Sequence, residues 1–226
     1  MSIISKKFYS ILFIIFSLNS VSANQNTIEN CDKFSHRDKD LKIKKINIEI
    51  KNYRKWQVNN IKILTDNSHV ISDKFKKKFK AKLLITFENN ISCEYQAKVR
   101  THGDLKDHIY YKDGKVFQSL DVQLSDGQIN NITKFKLFLK GTKGKEEDEI
   151  FMTEILRDFD FISPRTNLVK VEMNGEKLEM LFQEKITKEL LEFHKRREGP
   201  IFEGEEKYMM DKASKIQNSP DVNWSE

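Results

Sequence analysis

Four separated stretches of this chain alternate apolar and polar residues with period two, and that alternation constrains the fold more than any other feature. Ile46, Ile48 and Ile50 alternate with polar neighbours. Cys93, Tyr95, Ala97 and Val99 alternate with Glu94, Gln96, Lys98 and Arg100. Leu120, Val122 and Leu124 do the same within residues 117–124, and Phe135, Leu137 and Leu139 alternate with Lys134, Lys136 and Lys140. Successive side chains of a strand point to opposite faces, so each stretch reads as a strand with one buried face. Residues 83–87 form a compact apolar run and read as a further strand. Asn174-Gly175, between apolar runs at 168–173 and 178–182, is a hairpin signal, because a type I′ turn needs positive φ at both central residues.

The period changes to helical in two places. Ile150, Phe151, Ile155, Leu156 and Phe159 fall on helical spacing within residues 146–159, and Glu146, Glu147, Asp148 and Glu149 occupy the first turn, where the helix dipole favours anions. Residues 184–197 predict a second helix, with Ile186, Leu190, Leu191 and His194 near one face and Gly199-Pro200 ending it. Phe75 and Phe79, four apart in the lysine-rich run 74–82, predict a short helix with a solvated Lys face. Strands, a helix, a hairpin and another helix make an α+β pattern: a mainly antiparallel sheet with two principal helices.

Lys6 and Lys7, an apolar run over residues 8–18 and the small residues Val21-Ser22-Ala23 have the order of a secretory signal peptide, so residues 1–23 are expected to be removed and the protein secreted or periplasmic. The apolar run is too short for a membrane anchor, and the tail from residue 206 carries no periodicity and is expected to be loose. Export permits a Cys31–Cys93 disulfide; two buried free thiols are the alternative. Charge is divided along the chain: residues 24–145 hold 26 Lys/Arg against 14 Asp/Glu, and residues 146–226 hold 12 against 20. Two faces or lobes of opposite potential are expected. Export and the lack of any nucleic-acid motif argue against nucleic acid as the partner of the basic half.

The densest polar cluster is Arg100-Thr-His-Gly-Asp-Leu-Lys-Asp-His108. His102, Asp104, Asp107 and His108 are metal-ligand types, but no regular helix puts all four on one side. A strand-end turn shaped by Gly103 accounts for the same residues, as does a turn whose backbone N–H groups meet phosphate with Arg100 assisting. A strand lysine facing a helix glutamate orients phosphates in kinase-type sites, and Lys136 with Glu154 has that arrangement; an ordinary charged surface has it too.

Several segments, in order, resemble the CotH family, the spore-coat protein H-type atypical kinases. The stretch Val99-Arg-Thr-His-Gly-Asp resembles the family's early Arg-x-x-Gly turn, and Lys134-Phe-Lys-Leu-Phe-Leu-Lys140 its lysine-bearing strand. Glu149-Ile-Phe-Met-Thr-Glu-Ile-Leu-Arg-Asp158 followed by Ser163-Pro164-Arg165 resembles its helix and loop. Val169-Lys-Val-Glu-Met-Asn-Gly175 and Met180-Leu-Phe-Gln-Glu-Lys185 resemble its hairpin and exit. The resemblance covers about residues 95–205 and implies a kinase-like N-lobe, with residues 24–205 as one CotH-like N-terminal domain. It further implies binding of ATP and Mg²⁺ and a protein substrate. Arg100 and Gly103 would lie in the nucleotide-proximal turn, Lys136 would contact phosphate, Glu154 would partner it, and Glu184 would lie near the interlobe hinge. The family's catalytic aspartate and Mg²⁺ ligands lie beyond the hairpin, in a long acidic region. Here 42 residues follow Glu184, with Asp211 and Asp221 as their aspartates. The expectation is therefore a domain that binds but transfers little phosphate alone; an exported, non-catalytic interaction domain is the alternative.

Overall fold

The alternating stretches pair into one sheet that closes on itself. The computed structural model describes residues 42–202. In chain order they form β1 (Ile43–Ile50), α1 (Tyr53–Thr65), β2 (Phe79–Phe87), β3 (Ser92–Thr101), β4 (Ile109–Lys112), β5 (Lys115–Gln118), β6 (Leu120–Leu124), β7 (Lys134–Leu139), α2 (Glu146–Asp158), β8 (Thr166–Met173), β9 (Glu176–Glu184) and α3 (Lys188–Phe193). Seven strands make a closed barrel in the order β1-β2-β3-β6-β7-β9-β8, and β4-β5 is a separate hairpin. Every barrel pairing is antiparallel except the last, in which β8 returns to lie parallel to β1 from Lys45 opposite Lys170 to Ile48 opposite Met173.

Closure corrects the expected architecture. The structure is a barrel with helices outside it, not a kinase-like N-lobe sheet with two principal helices. Local periodicity shows that a strand has two faces; it does not show that the first and eighth strands meet. The interior is filled by the apolar members of each alternation, among them Ile46, Ile48, Leu83, Ile85, Val99, Val122, Phe135, Leu137, Val171 and Phe182. Cys93 lies in the same core and is disulfide-bonded; Cys31, like the expected signal peptide and tail, lies outside the described residues.

The predicted hairpin turn is as expected, with Asn174 at φ 46° and Gly175 at φ 90°. Three local expectations need correction. The lysine-rich run is a single 3₁₀ turn, Asp73–Phe75, followed by β2, because Phe79, Ala81 and Leu83 alternate with Lys80 and Lys82 against β1 and β3. Residues 117–124 are two strands, broken at Ser119, whose backbone turns to bond His102 and His108. The last helix spans only Lys188–Phe193, and Glu184 is the final residue of β9. Among the described residues, no helix is long and apolar enough to cross a membrane.

The sequence reading missed α1. Its buried stripe is Trp56, Asn59, Asn60 and Ile63, helical in spacing but half polar, so an apolar pattern does not reveal it. Both asparagines are satisfied: Asn59 Nδ2 donates to the Phe75 carbonyl at 2.8 Å, and Thr101 Oγ1 donates to Asn60 Oδ1 at 3.0 Å. Trp56 is fully buried in the barrel core and meets Phe79 edge to face at 5.1 Å. The helix thereby closes the barrel end where β1 finishes. Trp56→Ala is expected to destabilise the fold by about 3–5 kcal/mol, the usual cost of truncating a buried tryptophan. Urea unfolding followed by circular dichroism measures it, and a loss below about 1 kcal/mol would show that α1 does not close the core.

Candidate functional site

Because the barrel interior is apolar, polar side chains of the strands collect on its outer face. One row runs across four strand pairs: Arg100 lies opposite Asp121, Asp121 opposite Lys136, Lys136 opposite Gln183, and Gln183 opposite Thr166. Arg100 donates from Nε at 2.9 Å and from Nη2 at 2.6 Å to Asp121 Oδ2, and Lys185 Nζ stands 3.7 Å from the same oxygen. The Asp121 side chain is only 10% exposed. Burial works to raise its carboxyl, but the bonds from Arg100 and the charge of Lys185 outweigh it and hold the group below the usual carboxylate range. At the far end of the row, Gln183 Nε2 donates to Glu149 Oε1 on α2 at 2.7 Å.

Two histidines pack beside this row. His102 follows β3, and its ring meets Phe138 at 5.0 Å and His108 at 5.1 Å, both edge to face. His108 Nδ1 is 3.1 Å from Ser119 Oγ, which also accepts the Leu139 N–H at 3.0 Å. Gly103 makes this packing possible. It holds φ at +103°, and a Cβ there would fall 2.2–2.6 Å from the His108 side chain. Two ammonium groups share the Phe138 ring: Lys136 Nζ at 5.9 Å and Lys143 Nζ at 5.3 Å from its centroid. Burial first, and then the charge of Lys136, push His102 down to about 3. Burial lowers His108 as well; Lys143 and Lys136 add to that, while Asp107 and Asp104 oppose it. Both imidazoles are therefore neutral near pH 7, and the positive charge of the site resides on Arg100, Lys136, Lys143 and Lys185.

The structure brings three of the sequence-predicted residues, Arg100, Gly103 and Lys136, to one region, with Gly103 serving the packing of His108. Glu154 and Glu184 lie elsewhere. Glu184 is buried and takes Arg165 in a two-pronged pair, Nε to Oε2 at 2.7 Å and Nη2 to Oε1 at 2.8 Å. Glu154 is exposed on α2 and pairs with Arg157. The helix carboxylate that reaches the lysine row is Glu149, little more than a turn earlier. Of the possible metal ligands, His102 and His108 adjoin, Asp104 is turned to Lys76, and among the described residues no three His, Cys, Asp or Glu converge to hold a metal. Sequence reasoning passed over Asp121, although a lone carboxylate between Leu120 and Val122, two apolar strand residues, marks a charge that needs a partner.

The chain matches no family model, and no curated protein matches it significantly.

The histidines give a pH dependence with a definite sign. A group whose folded pKa lies below its unfolded value binds fewer protons when folded, so stability is present above the unfolded value near 6.5 and falls as pH drops toward the folded value. For His102 this loss is about 2 kcal/mol between about pH 7.5 and 5. Urea midpoints at the two pH values should show a smaller loss in His102→Gln than in the parent. Equal slopes would place His102 in water in the folded state.

Proposed function

We propose that this chain is an exported, CotH-like binding domain that takes the phosphates of a nucleotide on the outer barrel face around Lys136 and does not transfer phosphate by itself. One observation carries the binding half: Lys136 and Lys143 lie over the same ring while both neighbouring imidazoles are held neutral. Like charges gathered at a partly buried surface are stabilised by an anion that reaches both. ATP is the nucleotide and protein the substrate class that the CotH resemblance implies. The residues suit the phosphates better than a protein-held Mg²⁺, since Asp121 and Glu184 are each engaged by an arginine. Mg²⁺ needs few protein carboxylates when phosphates supply its oxygens, so it would arrive on the nucleotide. Phosphoryl transfer requires a catalytic aspartate and metal ligands positioned across a cleft from the lysine. The carboxylates along the lysine row are already engaged, Asp121 by Arg100 and Glu149 by Gln183, which supports binding without turnover.

The alternative, a non-catalytic interaction domain, draws on a separate observation. Phe151, Met152, Phe159, Phe161 and Ile162 are all exposed around α2, with Phe159 72% accessible. Light scattering of the parent and of a Phe151→Ser/Phe159→Ser double variant tests whether a second copy covers that surface.

Titration with ATP–Mg²⁺ should give saturable binding that Lys136→Ala weakens about tenfold or more, the worth of one well-placed charge-assisted contact. Lys77→Ala, on an exposed part of the lysine-rich run, should leave it unchanged. Bound nucleotide should also raise the imidazole titrations followed by NMR, because an anion offsets the lysines. Equal losses in the two variants would reduce the site to a general basic field. Robust phosphate incorporation by residues 24–226, lost in Lys136→Ala, would overturn the non-catalytic half.

A further inference from the structure

A cavity of about 410 Å³ opens at the barrel end opposite α1, between the rim, α2 and α3. Its lining shares Thr166 with the far end of the lysine row but includes neither Lys136 nor Lys143. Its floor is apolar: Ile43, Ile132 and Phe182 from the barrel and its loops, Ile150 from α2, and Phe193 from α3. A concave, mostly apolar space of this volume with a few polar groups on one side is the usual form of a small-molecule site.

The polar side of this cavity has a graded set of cations. Arg165 is fully engaged: it pairs with Glu184 through two nitrogens, donates from Nη1 to the Asn130 carbonyl at 2.6 Å, and lies over the Phe193 ring at 4.1 Å. It is a wall of the cavity. Arg157 is different. Its side chain is only 16% exposed, and its bonds go to the Pro164 carbonyl at 3.1 Å and to Glu154, which is 54% exposed. A pair three residues apart on a helix surface is weak. Lys42, Arg157 and Arg165 line the cavity with one carboxylate, Glu154, and because Arg165 is paired with Glu184 outside the lining, one positive charge is left in excess.

We propose that this cavity binds a small amphipathic carboxylic acid, its hydrocarbon on the isoleucine–phenylalanine floor and its carboxylate on Arg157 in place of Glu154. The apolar floor accommodates a chain that water rejects. The half-buried guanidinium presents the planar fork that a carboxylate matches. Glu154, mostly in water, loses little by turning outward. Glu154 thus acts as an internal competitor, and its removal should tighten binding.

Calorimetric titration of the full chain with decanoate, below its micelle concentration, tests the assignment, with decanol and decylamine as same-length controls. Decanoate should bind saturably and at least about tenfold more tightly than either control. Arg157→Gln should weaken decanoate binding about fivefold or more, Glu154→Gln should strengthen it, and Ile150→Trp should abolish it by filling the cavity. Circular dichroism confirms that each variant is folded; if Arg157→Gln is not, Glu154→Gln decides. Absence of saturable binding, affinities equal to those of decanol or decylamine, or a decanoate affinity that Glu154→Gln leaves unchanged would overturn the proposal. Loss of nucleotide binding at Lys136 would leave it untouched.

Discussion

The parallel pairing of β1 with β8 is the contact on which the rest of the structure depends. Without it the seven strands would form an open sheet with two exposed edges and an uncovered apolar face. With it, every strand has two neighbours and one dry interior. The seam is fastened by more than ladder bonds. Lys45 Nζ meets Glu172 Oε2 at 2.8 Å across it, from a position 127 residues away in the chain. Asn174 donates its N–H to the Ile48 carbonyl and accepts the Ile50 N–H on its side chain, so the β8–β9 turn is tied to β1 as well as to its own strands. The entropy of closing so long a loop grows only slowly with its length, so a few such contacts and the buried core suffice.

Closure also decides where chemistry can reside. An interior filled by isoleucine, leucine and phenylalanine leaves no place for charge, so the functional groups lie on the outer wall or at the barrel ends. On the wall, Asp121 holds the cations together. It is the carboxylate to which Arg100 and Lys185 are both attached, and Lys136 stands opposite it in the next strand. The His102–His108 pair then supplies bulk beside the lysines without adding charge, because burial keeps both rings neutral.

The strands and their inward faces were legible because alternation is a local property that survives whatever the strand pairs with. The hairpin at Asn174-Gly175 was legible for a similar reason: positive φ selects those residues. What escaped depended on distant partners. The helix α1 buries asparagines only because Thr101 and the Phe75 carbonyl receive them, and the end of the lysine-rich run is a strand only because β1 and β3 flank it. For the candidate site, Arg100 and Lys136 could be named from strand phase. Glu154 was misjudged because helical spacing alone does not fix rotation about the helix axis. Glu149, which is bonded to Gln183, takes the position beside the row.

The rotation of α2 therefore governs both candidate sites. Its thirteen residues present three surfaces: Glu149 toward the lysine row, Ile150, Glu154 and Arg157 toward the cavity, and Phe151 and Met152 toward solvent. Thr153 is its one buried residue, so core burial contributes little to its position. Polar contacts hold it instead: Glu146 accepts the Gly141 N–H, Gln183 binds Glu149, and Arg157 binds the Pro164 carbonyl. A helix placed by polar bonds rather than by an apolar seam is the kind of element whose orientation a ligand can adjust at small cost. Since Glu149 and Glu154 ride on the same helix, a carboxylate that displaces Glu154 at the cavity acts on the element that also carries the Glu149–Gln183 bond beside Lys136.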